Sequence, residues 1–106
     1  MSKNWNYLDE EKAFNIIKSQ NLENYNVTNL IYDTKAQVQK YLIIKNNLSI
    51  IPEDYRNNNY LFVISANDKD LFSDPAFEIT SFKPFEIISK WPINNFYSLF
   101  LLKKIT

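Results

Sequence analysis

Apolar positions Ala13, Phe14, Ile16 and Ile17, with Tyr7 at the margin, fall on one stripe at helical spacing and predict a helix from Leu8 to Gln20. Asn6 or Asp9 can cap it, and Asp9, Glu10 and Glu11 lie where negative charge complements the helix dipole. Beyond the Asn-rich link from Asn21 to Asn26, Val27 to Tyr32 reads as a strand. Asp33 to Gln37 reads as a turn and Val38 to Lys45 as a second strand. The run Tyr41-Leu42-Ile43-Ile44 favours that strand over a competing short helix from Lys35 to Leu42. Asn46-Asn47 then suits a tight hairpin into Leu48-Ser49-Ile50-Ile51, which Pro52 ends.

Two later runs are apolar at nearly every position: Tyr60 to Ala66 and Phe96 to Leu102. Continuous rather than alternating apolarity marks strands buried on both faces, so Phe62, Ile64, Phe100 and Leu102 are expected in the core. Before the first run, Glu53 to Asn59 is a polar loop. Between the runs lie an acidic loop from Asn67 to Asp74, an expected strand from Phe77 to Phe82, and a stretch from Lys83 to Trp91 in which Pro84 would open a short helix. The expected fold is α+β, an N-terminal helix packed on a mainly antiparallel sheet of about four to six strands. A single long helix covers only one sheet face, so short segments, loops or another protein must cover the second.

At 106 residues the chain is expected to form a single globular domain, residues 1–106, with 45% hydrophobic residues to supply its core. It contains no glycine. Asparagine must therefore take the left-handed turn positions that glycine usually fills. Without cysteine or histidine there is no disulfide framework, no thiolate metal site, and neither the commonest general base nor the commonest metal ligand. Twelve basic residues balance twelve acidic ones, and Arg56 alone is an arginine, which argues against nucleic acid as the main partner. The N-terminal residues lack the apolar core of a signal peptide and no apolar run approaches the ~20 residues that span a bilayer, which together predict a cytoplasmic protein with no membrane partner.

Candidate chemistry is sparse. Asp68, Asp70 and Asp74 alternate like the start of a calcium loop, but the glycine is missing and Ile79 stands where the bidentate glutamate belongs. The pairs Glu53-Asp54 and Glu10-Glu11 are adjacent in sequence, whereas acid–base pairs act from across a cleft. Serine nucleophiles lack their usual base, and a glycine-free chain has no phosphate loop. These readings predict no catalytic, metal or cofactor-binding residues and no cofactor. Lys35, Lys40, Lys45, Lys103 and Lys104 are expected to guard strand edges. The aromatics Trp5, Tyr25, Tyr55, Tyr60 and Trp91 flank polar stretches, as interface aromatics do. Two loops combine such groups with carboxylates and bracket a strong strand, making Glu53, Asp54, Tyr55, Tyr60, Asp68, Asp70, Phe72 and Asp74 the candidate partner-binding residues.

Taken together, these properties resemble those of small bacterial immunity proteins of polymorphic or contact-dependent toxin systems. The stretch Ile51-Pro52-Glu53-Asp54-Tyr55 is similar to the Leu-Pro-x-Asp-Tyr stretch of the SUKH immunity superfamily. It departs at Arg56 to Asn59, where a strand-like run follows in place of a helix and an Asn-Gly pair, so that family's fold is not expected. The resemblance implies a non-enzymatic protein that binds a cognate toxin domain and inhibits it by steric occlusion. Alternatives are a phage-encoded inhibitor or structural accessory subunit, and a small enzyme using carboxylate or tyrosine chemistry.

Overall fold

The two continuous apolar runs become neighbouring strands, β2 (Tyr60–Ala66) and β4 (Tyr97–Lys104), in a computed structural model that describes residues 4–48 and 55–105. They pair antiparallel, with Leu61 opposite Leu102, Phe62 opposite Leu101, Val63 opposite Phe100 and Ile64 opposite Leu99. Since successive side chains point to opposite faces, Phe62, Ile64, Leu99 and Leu101 join one core cluster while Leu61, Val63, Phe100 and Leu102 join the other. None of the eight is more than 4% exposed, as expected of strands with both faces covered.

Two edge strands complete the sheet. β1 (Tyr25–Asn29) runs parallel to β2, and β3 (Phe85–Pro92) runs antiparallel to β4, giving the order β1-β2-β4-β3. Among the described residues this is a four-stranded, mainly antiparallel sheet in an α+β fold, as the sequence predicts.

Two helices cover the first face. α1 (Tyr7–Gln20) starts at a capping box: Asn6 Oδ1 accepts from Asp9 N at 3.1 Å and Asp9 Oδ2 accepts from Asn6 N at 3.0 Å. It buries Ala13, Phe14 and Ile17 against Val27, Phe62 and Leu101. The expected second strand is instead α2 (Gln37–Lys45). Parallel β1 and β2 require a crossover rather than a hairpin, and this helix is the crossover. Its period is helical: Gln39, Leu42 and Ile43 are buried, while Tyr41 and Ile44 face solvent. Asp33 caps its approach, accepting from Gln37 N at 2.9 Å and Lys35 N at 3.2 Å.

Asn46-Asn47 likewise ends a helix instead of turning a hairpin. Asn47 sits at φ 59°, its N–H bonds Ile44 O, and Leu48 N bonds Ile43 O, which is the paired hydrogen-bond pattern of a Schellman stop. The remainder of the expected hairpin strand, residues 49–51, lies outside the described residues, as does Pro52. Asparagine does stand in for glycine: Asn4, Asn21, Asn24 and Asn47 take positive φ, and only Ala36 joins them among the described residues.

The second face is covered by short pieces. A turn of 3-10 helix (Leu71–Ser73) is followed by α3 (Phe77–Thr80), which replaces the expected strand from Phe77 to Phe82. Ser81 Oγ bonds Phe77 O at 2.6 Å and Thr80 Oγ1 bonds the same carbonyl at 3.3 Å, so local hydroxyls hold this turn helical. Leu71, Ile79 and Phe82 pack with Tyr55 and Phe85 onto Leu61, Val63, Phe100 and Leu102. The expected helix at Pro84 is β3, because β4 presents a ladder to the β-branched run Ile87-Ile88. The register slips between Ile87 and Ser89, leaving Ile88 as a bulge on this open edge.

At the other edge, the run Asn57-Asn58-Asn59 ties down the entry to β1. Asn59 N bonds Asn24 O at 2.9 Å, Asn58 Nδ2 bonds Asn24 Oδ1 at 3.1 Å, and Asn26 Nδ2 bonds Asn58 Oδ1 at 3.3 Å. These side chains set the register of the parallel pair.

Candidate functional site

The predicted partner-binding residues do not form one surface. Glu53 and Asp54 lie outside the described residues. Tyr55 is 3% exposed and belongs to the second-face cluster, its hydroxyl accepting from Lys40 Nζ at 3.0 Å. Tyr60 packs half-buried against the first-face cluster, on the opposite side of the sheet. Of the other interface aromatics suggested by sequence, Trp5 and Tyr25 are core residues and Trp91 packs half-buried against the same cluster. A polar neighbour in sequence says little about exposure when the chain turns inward at an aromatic ring.

The carboxylates of the second loop are engaged in local structure. Asp70 Oδ1 accepts from Phe72 N at 3.1 Å and Asp70 Oδ2 from Ser73 Oγ at 2.9 Å, capping the 3-10 turn. Asp74 is 7% exposed, accepts from Ala76 N at 2.9 Å and pairs with Lys69 Nζ at 3.0 Å. Their alternating spacing therefore serves two backbone turns. Asp68 is exposed, and among the described residues no three carboxylates converge on one point.

Phe72 is the predicted aromatic that the structure leaves exposed. It is 52% exposed, with its inner ring face stacked on Phe85 at 5.0 Å and 12°. Phe77, which the sequence placed at the start of a strand, is 57% exposed on α3. Cations stand over the rings of this face, among them Lys104, which the sequence assigned to guarding a strand edge. Arg56 lies 5.9 Å from the Phe77 centroid, Lys104 Nζ lies 5.3 Å from that of Phe82, and Lys90 Nζ lies 5.3 Å from that of Phe100. Backbone carbonyls hold the ammonium groups: Lys104 bonds Arg56 O, Lys83 bonds Phe72 O, and Lys90 bonds Asn67 O at 2.7 Å. Phe82 and Phe85, 6.1 Å apart, link the two ends of this series. The result is a set of cations over the second sheet face beside two half-exposed rings, Phe72 and Phe77, with Phe82, Phe85 and Phe100 buried beneath.

A cleft of about 450 Å³ lies elsewhere. It opens between the C-terminal ends of α1 and α2 and the start of β1, where Lys18, Glu23 and Leu48 contribute to its walls. No helix among the described residues is long and apolar enough to cross a membrane. Against known proteins, no family model, no curated protein and no solved structure matches this chain.

Proposed function

We propose that this chain is a binding protein of the immunity or antitoxin type, which inhibits a partner toxin domain by covering it. The observation that carries the reading is the pair of half-exposed phenylalanines, Phe72 and Phe77, projecting from the short segments that cover the second sheet face. Phe72 is held by its stack on Phe85 of β3, a ring so held loses little conformational entropy on binding, and exposed rings form the energetic centre of protein interfaces. Inhibition of this kind needs no chemistry in the inhibitor. Occupying roughly 800 Å² of the partner is enough to deny access to a substrate.

The test starts from the reading frame beside this gene in its native genome. Expressed alone, that neighbour should arrest growth, and co-expression with the wild-type chain should restore it. A Phe72→Ala/Phe77→Ala double variant with an unchanged melting temperature should fail to restore it. Full rescue by the double variant, or a harmless neighbour, overturns the proposal.

A further inference from the structure

We infer that the partner presents a carboxylate-rich, partly apolar surface to the face formed by Arg56, Phe72, Phe77, Lys83, Lys90 and Lys104. The inference rests on the reading of this face as a protein-binding surface and adds the chemistry of what binds it.

Cations on a protein surface usually find carboxylates nearby when the two signs are equally abundant, as they are here. Yet Arg56, Lys83, Lys90 and Lys104 have no carboxylate within 4.0 Å among the described residues; their contacts are ring faces and backbone carbonyls. Two acids of the neighbouring loop are engaged elsewhere: Asp70 in its cap and Asp74 with Lys69. A lysine bonded to one carbonyl retains two further donors. Arg56, Lys83 and Lys90 are exposed and Lys104 is half-exposed, so those donors remain within reach of a partner. Carbonyl and ring contacts also fix where each charge sits, so a partner carboxylate meets a pre-positioned cation at a reduced entropic cost.

The same features favour carboxylates over a nucleic-acid backbone. A phosphate track is read by many cations, preferentially arginines, set in a field of positive sign. Here the chain is neutral with one arginine, and exposed Asp68 and Asp70 stand in the loop that carries Phe72. Separated cations interleaved with exposed phenylalanines suit a protein segment that carries acidic and apolar side chains together.

The experiment is a selection from a random peptide library on the immobilised full chain. Selected peptides should be enriched in Asp and Glu together with aromatic or aliphatic residues. Their binding should weaken about tenfold or more with Arg56→Glu/Lys83→Glu, as expected for close opposite charges turned alike. The single Lys83→Glu variant, in an exposed and ring-free position, should act in the same direction, and Lys18→Glu on α1 should change nothing. Circular dichroism melts confirm that each variant is folded. Peptides that need Phe72 and Phe77 but carry no acidic residues would leave the binding surface standing and overturn its proposed charge preference. Peptides indifferent to both phenylalanines, or an empty selection, would overturn the surface as well. Tighter binding of a labelled oligo-dT that charge reversal abolishes would identify a nucleic-acid partner instead. Dimerisation lost in the reversal variants would identify a second copy of this chain.

Discussion

Replacing Glu10 separates two roles that the sequence runs together. As the fourth residue of α1, it reads as one of three acids complementing the helix dipole, but its side chain is 1% exposed. Its carboxylate accepts from Tyr32 Oη at 2.7 Å and from Gln39 Nε2 at 2.9 Å, joining α1 to α2 and to the loop between β1 and α2. Glu10→Ala removes both acceptors. Gln39 Nε2 keeps a second bond, 2.8 Å to the Glu10 carbonyl, and Tyr32 is 42% exposed and can turn to water, so neither donor is stranded. What is lost is a pair of charge-assisted hydrogen bonds and some packing, less the cost of burying the charge, for a net of about 2 kcal/mol. Glu10→Gln keeps the shape: its carbonyl accepts from Gln39 Nε2, and its amide donates to the Tyr32 hydroxyl, whose proton turns outward. That change should cost under about 1 kcal/mol. With a urea slope of about 1–3 kcal/mol/M, the Ala variant's midpoint should fall by roughly 1 M and the Gln variant's by less than half of that. An Ala variant as stable as wild type, or a Gln variant as weak as Ala, would refute the bridging role.

Phe62 has no exposed surface and packs edge-on against Tyr25 at 5.6 Å, so Phe62→Ala should cost about 3–5 kcal/mol in the same assay. Tyr55→Ala, which the sequence would treat as a surface change, should destabilise the fold by about 3 kcal/mol or more, because its ring lies in the second-face cluster. Acrylamide should quench Trp91 well ahead of Trp5 when each is measured in a single-tryptophan variant, since Trp5 is 1% exposed and Trp91 half-buried; equal quenching would contradict that placement. Burial, the hydrogen bond to Glu10 and the negative charges of Glu10 and Asp33 all raise the Tyr32 pKa, and burial raises that of Tyr25. The folded chain then keeps protons that the unfolded chain loses near pH 10, so stability should fall as pH rises beyond about 10. Solvent screening at half-exposed Tyr32 keeps its share of the decline small, and Glu10→Gln should make the decline shallower.

The sequence discloses elements best where one force dominates. The runs Tyr60–Ala66 and Tyr97–Lys104 are long and apolar enough that only a central strand can bury them. The Asn6–Asp9 box sits at the start of an apolar stripe. The misplaced elements are short and mixed. In Gln37–Lys45 the β-branched pair Ile43-Ile44 suggests a strand, but Ile43 is buried and Ile44 is 64% exposed, a difference imposed by the helix period and the parallel crossover. The four residues of α3 and the strand after Pro84 were settled by contacts far away in sequence: Ile79 against the second-face cluster, and β3 against β4. The candidate surface was obscured in another way. Phe72, Phe77, Lys83, Lys90, Lys104 and Arg56 are scattered over the second half of the chain, and no spacing rule connects residues that a sheet brings together. Carboxylates near tyrosines looked like recognition residues because capping and recognition use the same side chains.

The proposed binding surface lies where short segments close the second face. Among the described residues, α1 and α2 lie over the first face, whereas the second is covered by one 3-10 turn, one turn of α-helix and the ring of Tyr55. The short segments bury Leu71, Ile79 and Phe82 and leave Phe72 and Phe77 half outside, as α1 and α2 leave Leu8, Tyr41 and Ile44 exposed. Arg56 and Lys104 partly cover the aromatic rings nearby, as long cationic stems do over apolar surface. A cation over an exposed ring, as Arg56 is over Phe77, contributes only about 0.5–1 kcal/mol to the fold. Removing it by Arg56→Ala should therefore leave stability within about 1 kcal/mol of wild type while increasing the binding of a hydrophobic dye to the folded protein. Unchanged dye binding would show that Arg56 does not shield Phe77, and that the ring and the cation do not act together on this face.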